Sequence, residues 1–300
     1  MDNKRYDQLI ADLRSDYRPQ REWGEGRGVL MVVGHFLVGI AGGTWVLSAL
    51  YGVSAGLILA YVLAALGALA HLLFLGRPER ALGMARHVRT SWISRGFVGL
   101  SLFLIGASVH FLGALSGIHS TALTWASQAV ALVGALVMIG YMGFCYTASK
   151  AIPFWHSPLH PALYIAYAAR GGIAGLLVVT AALGSAAPTD RLLLLWIVVT
   201  ATVCLLVGLE IHGAWSGGSV AAKWSVRDLL KGRLALTFYG GTLAVGVIVP
   251  ALLLGNTNAH SPTIMALLGV ASAAGDFFMK LSTVKAGVYR PLYLPARHRA

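Results

Sequence analysis

Within long apolar stretches of this sequence stand His35, His71, His110, Tyr141, Tyr146, Arg170, Glu210, His212, Asp276 and Lys280. Ionisable groups in such stretches are costly to keep and tend to mark ligand sites, relays or transport pathways. An imidazole donates one hydrogen bond and takes up a proton near neutral pH, so His35 and His71 suit acid–base work on a polar ligand. A lone histidine in such a setting is also a common hydrogen-bonded packing residue; His35 gains interest from its neighbours. Asp276 and Lys280 are four apart, a spacing that suits an ion pair within one helix and would neutralise both. Glu210 and His212 fall near the end of their stretch, where solvent would reach them. Arg170 lies close to the middle of its own.

The elements that must hold these groups are membrane-spanning helices. A bilayer core takes about 20 apolar residues in helical form. Eight stretches qualify, at roughly 28–50, 53–75, 96–118, 121–147, 161–184, 191–213, 233–254 and 262–287. The fold class expected is therefore an all-α integral membrane protein, a bundle of eight transmembrane helices. It divides into an N-terminal segment 1–27, a transmembrane domain 28–287 and a C-terminal tail 288–300. Loops after the first, third, fifth and seventh spans are short, and those after the second, fourth and sixth are longer.

Composition agrees. Hydrophobic residues make up 57% of the chain, charged residues only 11%, and mean hydropathy is +0.72. Soluble domains carry about 25% charged residues, so a soluble enzyme is excluded. The net charge of +12 would suggest nucleic acid in a soluble protein, but here it has a simpler source. Basic residues cluster in the N-terminal segment, in the even-numbered loops and at the C-terminal end, with Arg297 and Arg299 among the last. The opposite side has Arg191 alone, while Arg170 and Lys280 lie within spans. By the positive-inside rule both termini are expected in the cytoplasm. No nucleic-acid partner is expected.

Cys145 and Cys204 each sit within an apolar run and read as buried thiols rather than a disulfide. Two cysteines cannot hold an iron–sulfur cluster. The first 27 residues lack the apolar centre of a cleavable signal. They instead repeat Tyr6, Leu9, Ile10, Leu13 and Tyr17 at helical spacing among charges. This predicts a short amphipathic helix, lying on membrane lipid or against a partner. Gly39 and Gly43, four apart in the first span, permit close helix packing.

The second loop, HLLFLGRPERALGMARHVRTSWISRGF, carries Arg77, Arg80, Arg86, Arg89 and Arg95 between two apolar spans. Its portion LGRPERA…TSWISR resembles the second-loop signature of membrane anchor subunits of the dimethyl-sulfoxide-reductase type. That group overlaps the superfamily of polysulfide and tetrathionate reductase anchors, the DmsC/NrfD-like proteins. HFLVGIAGG, from His35 to Gly43, and YTASKAIPFWHSPLHP, from Tyr146 to Pro161, resemble further family patterns in the same order. The resemblance covers the first four spans and their loops. Among subfamilies the pattern is most similar to the anchor of phenylacetyl-CoA:acceptor oxidoreductase.

The resemblance implies a function. Such anchors carry an iron–sulfur electron-transfer subunit and a molybdopterin catalytic subunit, and they exchange electrons and protons with menaquinone or ubiquinone in a bacterial inner membrane, as in anaerobic respiration. The chain itself would have no substrate chemistry and no metal of its own. His35 corresponds to a first-span histidine that contacts quinone, with its spacing to the glycines differing by one residue. Tyr146 matches a tyrosine of the same role. His71, Tyr141 and Arg170 join them as quinone-binding candidates, with Glu210, Asp276 and Lys280 as candidates for proton transfer. Arg77, Arg80, Arg86, Arg89, Trp92 and Arg95 would dock the cluster subunit, placing the catalytic arm in the cytoplasm. Two departures stand out. Phe74 replaces a histidine common before Leu-Gly-x-Pro, and Gly96 replaces a glutamate important for quinol.

Two other readings stay open. His35 and His71, on two helices at similar depth, could ligate haem b in a cytochrome subunit. Alternatively Arg170, Asp276 and Lys280 could line the pathway of a small-solute transporter.

Overall fold

The computed structural model describes residues 3–117, 120–184, 187–256 and 258–291; Arg297 and Arg299 lie outside them. Within lipid every backbone N–H and C=O must be satisfied inside the segment, so apolar runs of this length become helices. Eight helices long and apolar enough to cross a membrane are present among the described residues. They are α2 (Val29–Tyr51), α3 (Ser54–Leu75), α4 (Trp92–Leu115), α5 (Thr121–Thr147), α6 (His160–Leu183), α7 (Thr189–Ser216), a seventh span running Thr237–Leu254, and α10 (Pro262–Lys285). Serines 91, 120 and 261 start α4, α5 and α10 by accepting a backbone N–H, and glycines 52, 76 and 184 end α2, α3 and α6 at positive φ.

Three features lie beyond the sequence reading. The second loop folds as a 3₁₀ helix over Pro78–His87. The sixth loop contains a helix, α8 (Val220–Leu230). The seventh span is π-helical over Thr237–Ile248 before continuing as α9 (Val249–Leu254).

The centre of the bundle is α6, with 78% of its central stretch buried against 28% for α3 and for α4. It packs on α2 and α10, while α2 pairs with α3, and α4 with α5. Close approach at the centre depends on glycine: a Cβ on Gly43 or Gly172 would run into the backbone of the other helix. The outer helices turn leucine, isoleucine and valine outward, as a lipid-facing surface does. Cys204 belongs to that outer surface, so the expectation of two buried thiols holds for Cys145 alone; the apolar run around Cys204 faces outward because α7 packs mainly on α6.

The N-terminal helix α1 (Asn3–Arg14) forms as expected, although Tyr17 lies past its end and the side chains of Leu9 and Leu13 lie outside those described. Tyr6 is exposed. Arg21 ties the following segment to α1 through Asp12 at 2.7 Å. That segment then pairs with the C-terminal one: Gln20 N–H donates to Gly287 O at 2.7 Å and Tyr289 N–H to Arg18 O at 2.9 Å. The two ends thus meet on one face, as an even number of spans requires. This face also carries the arginine loop and is called the basic face below.

Candidate functional site

A cavity of about 280 Å³ opens near the basic face among α2, α3, α4 and α5. His35 on α2, His71 on α3 and Tyr141 on α5 share its wall. The ring centres of His35 and His71 are 4.8 Å apart, and Tyr141 stands edge-on to His35 at 6.1 Å. The remaining lining is apolar, with Met31, Phe74, Phe97, Leu100 and Leu104 prominent, and Trp23 and Met84 close it towards the basic face. An apolar enclosure with a few converging polar groups is the usual form of a small-molecule site, and its volume lies just below the common range of roughly 300–1,000 Å³. His35 Nδ1 and His71 Nε2 are buried with no hydrogen-bond partner among the described residues. Buried polar atoms are normally satisfied, so both are positioned to meet a ligand.

Two small residues shape this arrangement. A Cβ on Gly34 would come within 2.7 Å of the His71 ring, and a Cβ on Gly96 would collide with the Tyr141 ring. Gly96, read from sequence as a missing glutamate, is thus the space that Tyr141 occupies. Phe74, read as a missing histidine, lines the cavity one turn from His71.

The cavity also has a side door. Leu72, Leu75 and Ile93 line it and are at the same time exposed on the outside of the bundle, where α3 and α4 touch only sparingly.

Of the five side chains expected on one ligand, two lie elsewhere. Tyr146 is 1% exposed and sealed behind Trp23 and Trp155, with ring centres at 6.3 and 4.9 Å. Arg170 is buried deeper, its Nη1 2.7 Å from Asp276 Oδ1 and its Nη2 donating to Gly246 O. The expected Asp276–Lys280 pair is therefore not made. A guanidinium offers several fixed donors and is easier to strip of water than an ammonium, so Arg170 takes the carboxylate. Lys280 turns instead to aromatic faces, with Nζ 4.5 Å from the centre of Tyr164 and 5.4 Å from that of Tyr167.

Glu210 borders an opening on the basic face, although little of its surface is exposed. It is buried, with Oε1 2.7 Å from Nδ1 of His160, a residue with no exposed surface. Sequence reasoning missed His160 because the fifth span was started at 161. The signal was present: Pro161 suits the first turn of a helix, and starting there puts His160 and Tyr164 on one face. His212, by contrast, is exposed.

On the basic face, Arg77, Arg80, Arg86 and Arg89 are exposed. Arg95 and Trp92 are not free in the same way. The Arg95 guanidinium lies 4.1 Å over the Trp92 ring and donates to the carbonyls of Val88 and Arg89, while Trp92 stacks on Phe144. These two residues clamp the loop to the bundle.

The geometry also bears on the rival readings. A metal ion bonds imidazole nitrogen at about 2 Å, so an iron between two axial imidazoles would hold their centres roughly 6 Å apart. The 4.8 Å between His35 and His71 does not fit haem. Arg170, Asp276 and Lys280 are each at most 5% exposed and engaged with one another's surroundings rather than with a water-filled path.

Eight apolar helices around a cavity with a small polar wall define a multi-pass membrane protein. The chain belongs to the polysulphide reductase NrfD family, whose model matches residues 27–291, nearly all of the bundle. It is thereby a membrane subunit of the oxidoreductase-complex type. Among curated proteins, none matches this chain.

Proposed function

We propose that this chain is the quinone-reactive anchor of a molybdopterin and iron–sulfur oxidoreductase, passing electrons between a cluster subunit docked on the basic face and quinone in the lipid. The observation that carries this reading is the convergence of His35, His71 and Tyr141 on an apolar cavity that opens sideways to lipid. Quinone enters between α3 and α4. His35 and His71 donate to or accept from its oxygen atoms, and Tyr141 fixes the orientation of His35. Apolar walls exclude competing water. Positive charge at Arg77, Arg80, Arg86 and Arg89 steers an acidic face of the cluster subunit to the cavity mouth. By the positive-inside rule this face is cytoplasmic, which places the catalytic arm there and suits a cytoplasmic substrate such as a coenzyme A thioester.

The test is His35→Leu in the assembled complex. Quinone-coupled turnover should collapse while the partner subunits still copurify. Undiminished turnover with this variant would remove the cavity from the quinone reaction.

A further inference from the structure

The buried His160–Glu210 pair is not part of the cavity wall, yet it borders a second opening. A vestibule of about 450 Å³ lies on the basic face between the loop 153–159 and the start of α8, and Glu210 is in its wall. His156, Ser157, Ser219 and Arg290 give this vestibule a polar rim, in contrast to the apolar cavity. Behind Glu210 stands His160; its Nδ1 is 2.7 Å from Glu210 Oε1, yet Nδ1, Nε2 and Oε1 all lack a hydrogen-bond partner among the described residues, so the pair is close and not locked. Its ring centre is 6.0 Å from that of Tyr164 and 5.7 Å from that of Tyr146. Tyr164 in turn carries Lys280 Nζ at 4.5 Å. Lys280 reaches across to α2, where its Nζ would lie 3.7 Å from a Cβ on Gly39, one helical turn from His35.

Glu210 and His160 thus stand between the polar vestibule and the aromatic cluster, Tyr146 and Tyr164, beside which Lys280 reaches towards α2. We infer that Glu210 and His160 are the proton inlet and outlet of the quinone reaction, opening on the same face as the electron-transfer partner. The inference rests on the quinone reading above. When quinone is reduced, two electrons arrive from the cluster subunit and two protons enter in turn. Each proton protonates the Glu210 carboxylate, passes to His160 Nδ1 at 2.7 Å, and leaves from His160 Nε2 for the quinone. When quinol is oxidised the same sequence runs backwards and releases two protons. Electrons and protons then use one face, and turnover moves no net charge across the membrane.

The experiment uses the intact complex in vesicles with its basic face outward. Reduced decylubiquinone in the bilayer donates two electrons to two external ferricyanide ions and loses two protons. Membrane-impermeant pH dyes report outside and lumen separately. The expected result is two protons per quinol outside and none in the lumen; lumenal acidification by the unmodified complex overturns the inference without any variant. Glu210→Gln should slow the reaction at least about tenfold with KM for quinol unchanged, and external imidazole should restore part of the rate. A purely structural glutamate would give no such rescue. Full activity of Glu210→Gln beside an inactive His35→Leu overturns the inlet and leaves the quinone site standing. Full activity of both variants overturns the quinone site itself, and the inlet with it.

Discussion

The imidazoles of His35 and His71 approach to 4.8 Å between ring centres because residue 34, beside His35 on α2, has no side chain to keep α3 away. Their meeting depends on helix packing rather than on either histidine. Proton exchange by a positioned imidazole typically contributes about 10²–10⁴-fold to a rate. His71→Leu should therefore lower quinone-coupled turnover by about a hundredfold. The optical spectrum of the unmodified complex should show no haem b difference on reduction of this subunit; such a signal, lost in His71→Leu, would restore the cytochrome reading.

The same logic applies to Gly96. A methyl group added at this position would press into the Tyr141 ring, and overpacking of this sort costs about 1–3 kcal/mol. Gly96→Ala should raise KM for quinone by displacing Tyr141, and Gly96→Ala with Tyr141→Phe should not recover it, because the ring rather than the hydroxyl collides. Steady-state kinetics on both variants provide the check.

Arg170 and Asp276 form a buried ion pair at 2.7 Å. Removing one partner of such a pair leaves an uncompensated charge and costs about 3–5 kcal/mol, while removing both together is much milder. Arg170→Leu and Asp276→Leu should each lower the thermal midpoint in detergent strongly. The double variant should be more stable than either, and strictly additive losses would contradict the pairing. Arg170→Lys should fall short, since one ammonium lacks the fork that reaches both Asp276 and the carbonyl of Gly246.

The exposed arginines differ from the clamped one. Arg80→Glu with Arg86→Glu should weaken copurification of the cluster subunit, with the loss growing as salt is lowered, since screening at low salt is weak and the reversed charges then repel most. Arg95→Glu should act through the loop itself, by releasing Trp92 and the carbonyls of Val88 and Arg89, and should make the second loop sensitive to protease. Equal protease sensitivity of the double variant and of Arg95→Glu would assign the exposed arginines a structural role as well.

Much of this molecule was legible in its residues alone. Spans of about 20 apolar residues become helices because lipid offers the backbone no hydrogen bonds, so span number and the pairing of both ends on one face followed directly. The motifs around His35, the arginine loop and Tyr146 carried the family. Which polar groups meet was decided by packing. Asp276 and Lys280 had ideal spacing for each other, but α6 brought a better partner for the carboxylate, and the lysine turned to Tyr164. The resemblance implied one role for Tyr146 and His35, yet Trp23 and Trp155 stand around Tyr146, which is not in the cavity wall. Glu210 was legible as a residue near the basic face, but its neighbour His160 appeared only once α6 began one residue earlier. Local sequence sets where a side chain lies along its own helix; only the rotation and contact of neighbouring helices determine what it faces, and those depend on small residues such as Gly34, Gly43 and Gly172 that carry no chemistry of their own.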